Sequence, residues 1–291
     1  MDKSRNLLIV GLARNVEEVL PRGISRLSSV LSTYYGAVEF HIVESDSTDQ
    51  TVLVLRELSS KIPGLSYECL GDLQRKIPDR IERLRYCRNR YIDFYRKNPK
   101  RFSEIMVVDF DIQNNRLKKD SIIKVFSDEL SWDALFANQT GRYFDIFALR
   151  EEEWCPRDCM AEVWELVESG TSKERAKEIA IWSRMKRIPK TSKAIEVDSA
   201  FGGLAIYKSW IFDQFDYSTE MTPIGPQESE HVPLHYKVRR AGGHLYIHPR
   251  LNNFAWNPHN LSSFKALRRL DQLSNSALLQ GFRSRFRRLL G

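Results

Sequence analysis

Short apolar runs alternate with amphipathic segments through the first 110 residues of the chain. Apolar runs that begin near residues 6, 37, 65 and 104 predict four strands, and each gives way to glycine, serine or charged residues. Between them, residues 17–35, 51–62 and 79–97 are predicted as helices. The apolar face of the first helix consists of Leu20, Ile24, Leu27, Val30, Leu31 and Tyr34. This alternation predicts an α/β fold with a mostly parallel sheet flanked by helices.

The second half of the chain has a less regular pattern. Its predicted strands are residues 133–139, 143–150, 198–208 and 244–249, and its predicted helices are residues 160–186 and 228–243. Gly202 and Gly203 interrupt the third of these strands, where another backbone or a ligand can come close. The chain shows no internal repeat, so we expect one domain over residues 1–258, with halves that meet near residue 115, and an extension over residues 259–291.

The formal net charge of +7 is concentrated in that extension. Residues 261–291 hold seven basic residues against Asp271 alone, which leaves the body nearly neutral and argues against a nucleic-acid enzyme. Residues 278–290 place leucine and phenylalanine on one helical stripe with arginines largely elsewhere. Such a basic amphipathic helix suits either an anionic membrane surface or a docking site on the body. No apolar run in the chain is long enough to span a membrane.

Three polar clusters follow predicted strands: Arg14–Asn15, residues 44–51 and Asp109–Asp111. Because ligands bind beyond the carboxyl ends of parallel strands, we expect these clusters to converge in one crevice. Asp109 and Asp111 would repel each other there unless a cation neutralised them, and Mg²⁺ or Mn²⁺ accepts carboxylates together with phosphate oxygens. The alternative is that both aspartates belong to a turn or a helix cap.

Arg88 stands on the apolar stripe of the third helix, which runs through Ile77, Ile81, Leu84, Tyr91 and Tyr95. It shares a face with Arg85 and Asn89 by helical spacing. A guanidinium facing the core needs an anionic partner. That partner is either an internal acidic residue or a bound diphosphate beside the acidic cluster.

The order of these motifs resembles glycosyltransferases of the GT-A fold, which has a Rossmann-like sheet. The stretches "VESDSTDQT", "RYCRNR" and "VVDFDI" are similar to motifs of the large family 2 group, although Glu44-Ser45 stands where that group usually has two acids. The later stretches "ANQTGRYFDIFALR", "SAFGGLAIYK" and "SEHVPLHYKVRRAGGHLYIHP" resemble the fungal capsule (cryptococcal) mannosyltransferase family and its bacterial relatives. The resemblance covers roughly residues 6–250.

The resemblance implies a metal-dependent transfer of a sugar from a UDP- or GDP-sugar to a glycan or lipid-linked acceptor. The half before residue 115 would hold the nucleotide sugar through Ala13, Arg14, Glu44, Ser45, Arg85, Arg88, Asp109 and Phe110. The metal would bind Asp109 and Asp111, with His248 as a third ligand or, alternatively, as a strand-end residue. The acceptor half would place Gly202 and Gly203 near the sugar and supply the catalytic base, first Glu230 and second Glu228. The relatives suggest capsule or lipopolysaccharide assembly, at the inner, cytoplasmic face of a membrane.

Two other classes of protein share parts of this pattern. A nucleotidyltransferase also joins a parallel sheet to paired aspartates, but it usually has a glycine-rich basic loop where this chain has "GLARNVEE". A non-catalytic module that binds nucleotide sugars or membranes would not need both Asp109 and Asp111. A zinc site at His231 and His235 is disfavoured, because the residues between them are Val, Pro and Leu.

Overall fold

The computed structural model describes residues 4–111, 114–218 and 228–254. Eight strands form one sheet in the order β3-β2-β1-β4-β7-β5-β8-β6. The strands are β1 (Asn6–Ala13), β2 (Ala37–Glu44), β3 (Leu65–Cys69), β4 (Glu104–Asp109), β5 (Ala134–Asn138), β6 (Ile195–Glu196), β7 (Leu204–Lys208) and β8 (Leu245–Asn252).

Six of these strands run in the same direction. β3, β2, β1 and β4 pair in parallel, and β5 pairs in parallel with β8. β7 is inserted antiparallel between β4 and β5, and β6 is antiparallel to β8 at the edge. In the register, Ala13 lies opposite Glu44 and Leu12 lies opposite Asp109. The carboxyl ends of β1, β2 and β4 and the start of β7 therefore share one rim of the sheet.

Helices cover both faces of the sheet. They are α1 (Leu20–Leu31), α2 (Thr51–Lys61), α3 (Arg80–Arg96), α4 (Lys119–Ser127), α5 (Cys159–Glu168), α6 (Lys173–Ala180), α7 (Trp210–Gln214) and α8 (His231–Arg240). Leu7 and Ile9 of β1 pack in the core that contains α1 and α4, whereas Leu8 and Val10 pack in the core that contains α3 and α8. Because both faces of β1 are buried, its sequence is continuously apolar rather than alternating.

The predicted α/β sheet flanked by helices is confirmed, and two predicted elements are wrong. Residues 143–150 form turns rather than a strand, because the Oδ1 atom of Asp145 accepts a hydrogen bond from the Ala148 backbone at 3.3 Å and closes a tight turn. The predicted helix over residues 160–186 is two helices, α5 and α6, which a turn at Gly170 (φ +92°) separates.

The extension predicted over residues 259–291 lies outside the described residues. Among the helices that the structure does describe, none combines the length and the apolar character that a bilayer crossing requires.

Candidate active site

The loops after β1 and β2 bind to each other at the carboxyl rim. Asn15 adopts a left-handed conformation (φ +52°), and its Oδ1 atom accepts a hydrogen bond from the Thr48 backbone at 2.7 Å. The Asn15 backbone donates to the Ser47 hydroxyl at 3.1 Å, and the Val16 backbone donates to the Thr51 hydroxyl at 2.8 Å. These reciprocal bonds hold the first two predicted polar clusters together, as the crevice hypothesis requires.

A cavity of about 560 Å³ opens above these loops. Its lining includes Arg14, Glu44, Asp46, Ser47, Thr48, Gln74 and Arg75. Its volume falls in the range of about 300–1,000 Å³ that small-molecule sites occupy. Glu44 is buried and accepts a hydrogen bond from the Ser47 backbone at 3.0 Å, while Arg14 is exposed and donates to the Gln74 side chain at 3.1 Å. Arg14 and Glu44 therefore line the same cavity, and their contact with a nucleotide stays a prediction.

Asp46 and Gln74 line one part of this cavity, and Arg83 contacts Asp46. Asp46 has φ +60°, and its Oδ1 atom accepts a hydrogen bond from the Gln74 backbone at 2.7 Å. The Arg83 guanidinium is buried, lies 3.5 Å from the other oxygen of Asp46, and donates to the carbonyl oxygens of Ile77 and Pro78. In the sequence, Asp46 lies within the polar cluster of residues 44–51, whereas no pattern singles out Gln74 or Arg83.

Arg88 joins two remote segments at the rim. Its Nε atom donates to Glu230 Oε1 at 2.7 Å, and its terminal nitrogen lies 3.6 Å from Asp109 Oδ1. Both Arg88 and Glu230 have side chains that are only 4% exposed. The ring faces of Phe201 and Tyr217 lie 5.3 and 5.6 Å from the guanidinium carbon. Arg88 therefore has internal acidic partners, as one alternative predicted, and these partners belong to the acidic cluster of the candidate site.

Asp109 carries the strongest electrostatic signature of the site. Burial raises its pKa to about 7; Arg88 opposes this change, and the carboxylates of Asp111, Asp145 and Glu230 add to it. One third of the Asp109 side chain remains exposed at the rim. A cation bound beside Asp109 would favour its charged form, because it would oppose the effect of the neighbouring carboxylates.

Asp145 is one of these neighbouring carboxylates; in the sequence, Asp145 and Arg150 of "YFDIFALR" could pair with each other or shape the acceptor pocket, and both were predicted to be structural. The Asp145 Oδ2 atom instead accepts a hydrogen bond from the Gly202 backbone at 2.9 Å. The Asp109 backbone donates to the carbonyl oxygen of Gly203 at 3.0 Å. The turn before β7 is therefore attached to both aspartates.

Gly202 and Gly203 have positive φ angles of 71° and 81°. A Cβ atom on Gly202 would lie 2.5 Å from the carbonyl oxygen of Ala137, so this turn needs glycine for close packing against the end of β5. The observed close approach is to protein backbone. A contact between the two glycines and an acceptor sugar stays a prediction.

The two candidate bases lie in different surroundings. Glu230 faces Arg88 at the rim. Glu228 Oε1 instead accepts a hydrogen bond from Arg150 at 2.7 Å, and the same Arg150 nitrogen lies 2.6 Å from Asp158, the N-cap of α5. Arg150 is fully buried and also donates to the carbonyl oxygens of Phe147 and Leu149. Both glutamates are therefore in ion pairs, and what distinguishes them is that the partner of Glu230, Arg88, also lies near Asp109.

Four predicted site residues do not present their side chains to the cluster. Arg85 is partly exposed and pairs with Glu82 on the helix surface at 2.8 Å. The ring of Phe110 is buried in the core, where it closely approaches Gly11. The hydroxyl of Ser45 lies 3.7 Å from Cys87 Sγ, and Ala13 is buried and opposite Glu44 at the end of β1.

His248 lies away from the aspartates. β8 is three strands from β4, a separation of roughly 14 Å at the usual strand spacing. Its Nε2 atom is 3.0 Å from Asp128, and its Nδ1 atom accepts a hydrogen bond from the Arg250 backbone at 3.2 Å. In this arrangement His248 is a strand residue with two protein partners, and the structure does not bring it to a metal site with Asp109 and Asp111.

His231 and His235 face the same way on α8 but are both buried, with ring centroids 5.7 Å apart. His235 is hydrogen bonded to the Ser199 hydroxyl at 2.8 Å and to the Tyr207 hydroxyl at 2.9 Å. Burial, reinforced by Arg88, lowers the pKa of both imidazoles, to about 3 in His235. They are therefore neutral side chains of the interior.

The carboxylates at the rim fit a hard divalent cation. Within the described ranges, no group of three His, Cys, Asp or Glu side chains is arranged to hold a metal by itself. Mg²⁺ and comparable ions often take only one or two protein carboxylates and complete their coordination with phosphate oxygens and water. Asp109 and Asp111 would supply such a pair, and a cation bound there would oppose the effect of burial, which raises the pKa of Asp109.

Neither a protein-family model nor a curated protein sequence matches the chain. Among solved structures, the chain is similar to the mannosyltransferase PcManGT from Pyrobaculum calidifontis in complex with GDP-Man and Mn²⁺, with 13% identity, a TM-score of 0.48 and coverage of 85% of this chain and 56% of the other. It is also similar to TarS from S. aureus in complex with UDP-GlcNAc, with 13% identity, a TM-score of 0.48 and coverage of 89% and 61%. A third is glucosyl-3-phosphoglycerate synthase from Mycobacterium tuberculosis in complex with Mn²⁺, UDP and phosphoglyceric acid, with 11% identity, a TM-score of 0.41 and coverage of 86% and 67%. The chain thus spans less than two thirds of the length of the first two proteins.

Proposed function

We propose that this protein is a metal-dependent glycosyltransferase that uses a nucleotide-sugar donor. The observation that carries the proposal is the cluster of carboxylates around Asp109 on the carboxyl rim that also holds a cavity of nucleotide size. A nucleoside diphosphate with its divalent cation matches both features, because the cation compensates the carboxylates and the nucleoside fills the cavity. The motif order in the sequence supports the same reaction class.

In this proposal the donor lies across the ends of β1, β2 and β4. Arg14 and Glu44 contact the base and ribose from the cavity, and Ala13 and Ser45, which adjoin them in the chain, complete the nucleotide site. Asp109 and Asp111 hold the cation next to the diphosphate. A cation bound there stabilises the negative charge that develops on the departing nucleoside diphosphate.

The acceptor is proposed to approach from the turn at Gly202 and Gly203. Glu230 is the group that accepts the proton of the attacking hydroxyl, since it is held by Arg88 on the same side as Asp109. Arg88 keeps the two carboxylates apart and fixes the rotamer of Glu230. Glu228 is occupied by Arg150 and serves to anchor the segment that leads into α8.

A mannosyl donor, a lipid-linked or other glycan acceptor, and a role in capsule or lipopolysaccharide assembly are further parts of the proposal, supported by the sequence resemblance alone. Binding of residues 278–290 to the inner, cytoplasmic surface of a membrane is supported by their basic amphipathic pattern. Deletion of residues 275–291 should abolish partitioning onto anionic liposomes. Unchanged partitioning would refute the membrane part and leave the transferase proposal untouched.

A thermal-shift panel of UDP-, GDP- and CDP-sugars with and without Mn²⁺ tests the donor site. We expect stabilisation by one nucleotide, only with Mn²⁺, and its loss in Asp111→Ala. Asp120→Ala, an exposed aspartate in the first turn of α4, is the matched control and should respond like the parent protein. If no nucleotide stabilises the protein, or if Asp111→Ala responds normally, the proposal fails.

The product distinguishes transfer of a sugar from transfer of a nucleotide. A glycosyltransferase releases nucleoside diphosphate from the sugar donor, including slow release when water is the acceptor. A nucleotidyltransferase releases pyrophosphate from a nucleoside triphosphate and a sugar phosphate. Binding with neither product would indicate a non-catalytic module.

A further inference from the structure

His231, the first residue of α8, has an unusual position for a histidine. It is 3% exposed, and its ring stacks on Phe201 with a centroid distance of 4.0 Å and an interplanar angle of 22°. Among the described residues, neither of its ring nitrogens has a hydrogen-bond partner. A buried N–H group or lone pair without a partner is unfavourable. Such an atom calls for an explanation, and a partner engaged in another state of the molecule is one explanation; His231 has two such nitrogens next to the candidate site.

The nearest candidate partner is the carboxylate of the proposed base. His231 Nε2 lies 3.7 Å from Glu230 Oε1, the same oxygen that accepts the hydrogen bond from Arg88. A closure of about 0.8 Å would bring the two atoms to hydrogen-bonding distance. His231 also stacks on the ring of Phe201. Phe201 directly precedes the glycine turn that is hydrogen bonded to Asp109 and Asp145.

We propose that His231 is a positioning residue for Glu230, donating a hydrogen bond from Nε2 to Oε1 and holding the carboxylate toward the acceptor hydroxyl during transfer. This inference rests on the proposed function of Glu230 as the base. Arg88 approaches the same oxygen of Glu230, so a second donor would fix the direction of the carboxylate and not only its distance. The ring stack on Phe201, the residue before Gly202, packs His231 against the glycine turn.

Burial lowers the pKa of His231 well below its usual value, with Arg88 and His235 acting in the same direction, so the imidazole is neutral at physiological pH. A neutral imidazole carries one N–H group and one lone pair. The inference therefore requires the tautomer with hydrogen on Nε2, because the carboxylate only accepts. This requirement can be measured without any enzymatic assay.

Long-range ¹H–¹⁵N NMR of the full chain labelled at histidine reports the tautomer, and the spectrum of His231→Gln assigns the resonance. We expect the Nε2–H form, with a changed Nε2 shift in Glu230→Ala. The Nδ1–H form, or a spectrum that does not respond to Glu230→Ala, would overturn the inference. A failure of nucleotide binding would instead refute the proposed function, so the two failures are distinguishable.

Two substitutions separate the hydrogen bond from the ring. His231→Phe keeps the stack on Phe201 and removes the donor, whereas His231→Gln places an amide N–H near the former Nε2 position. We expect kcat for nucleoside diphosphate release from the donor to fall about 10- to 100-fold in His231→Phe, the effect of one hydrogen bond to a charged group, and to recover at least tenfold in His231→Gln. The donor KM should stay within about twofold in both, since His231 does not line the nucleotide cavity.

His41→Phe is the matched control. His41 is also buried, stacks on Phe94 at 3.7 Å, and has an Nε2 atom with no partner among the described residues, but it packs between β2 and α3 away from Glu230. We expect its kcat to remain near the parent value. Equal losses in His41→Phe and His231→Phe, or equal losses in the Phe and Gln variants at position 231, would show that His231 is only a packing residue.

Discussion

Replacing Arg88 by methionine gives the sharpest test of the arrangement at the rim. Methionine is unbranched and apolar, so it keeps much of the packing and removes the charge. Glu230, whose side chain is 4% exposed, then loses its ion-pair partner at 2.7 Å. Asp109 loses the guanidinium that lies 3.6 Å away. Removing one partner of a buried ion pair costs about 3–5 kcal/mol, because the remaining charge stays desolvated. For a domain of this size, that loss corresponds to a fall in Tm of about 6–20 °C.

Urea unfolding and thermal melts at pH 7.5 measure this loss. The double variant Arg88→Met with Glu230→Gln should recover part of the stability, since the amide is neutral and leaves no buried charge unpaired. The loss should also diminish below about pH 7, where protonation neutralises Asp109, because burial raises its pKa to about 7.

Arg85→Met is the control on the same helix. Arg85 pairs with Glu82 near the surface, and both side chains are about one third exposed, so its loss should cost less than about 1 kcal/mol. The reasoning is refuted if Arg88→Met is no more destabilising than Arg85→Met. It is also refuted if the double variant is no more stable than Arg88→Met alone.

Three further predictions concern the charge of Asp109, the glycine turn and the two glutamates. Burial raises the pKa of Asp109 from 3.8 to about 7. Asp109 therefore contributes stability that is full below about pH 4 and is lost as the pH rises to about 7. In urea titrations of the metal-free protein at several pH values, Asp109→Asn should remove this slope of the free energy of unfolding against pH. Gly202→Ala should cost about 1–3 kcal/mol more than Gly170→Ala, since both positions have positive φ but only a Cβ at 202 meets a backbone carbonyl at 2.5 Å. Glu230→Gln should lower kcat by about 10²- to 10⁴-fold with little change in donor affinity, whereas Glu228→Gln should lower Tm and keep kcat within about tenfold.

Each of these has a clear opposite outcome. An unchanged slope in Asp109→Asn would mean that another group titrates over the same range. Equal costs at positions 202 and 170 would mean that the turn can move away from β5. A larger loss of kcat in Glu228→Gln than in Glu230→Gln would reassign the base.

The sequence predicted the individual elements before residue 115 well, because hydrophobic periodicity is a local property. Leu20, Ile24 and Leu27 repeat at helical spacing and are all fully buried on α1. The second half was harder to predict. Residues 143–150 look like a strand by composition, yet a hydrogen bond from Ala148 to Asp145 makes them a turn, and no periodicity encodes that bond.

The third helix shows where spacing alone stops being sufficient. Arg85 and Arg88 are three residues apart, which leaves them about 60° apart around the helix axis. That angle spans the boundary between the buried and exposed faces, so Arg88 enters the core and Arg85 pairs on the surface. The direction of that boundary depends on how α3 packs against β1 and β2, which is a tertiary property.

By itself, the sequence determined the alternation of strands and helices, the rim on which the polar clusters lie, and the need of Arg88 for an anionic partner. Only the tertiary structure decided that this partner is Glu230, 142 residues away, that Asp145 joins the group around Asp109, and that His248 lies three strands from it. The physical reason is that secondary structure follows from the local order of apolar and polar residues. The pairing of buried charges instead depends on which strands become neighbours, and here the reversed strand β7, inserted between β4 and β5, sets those neighbours.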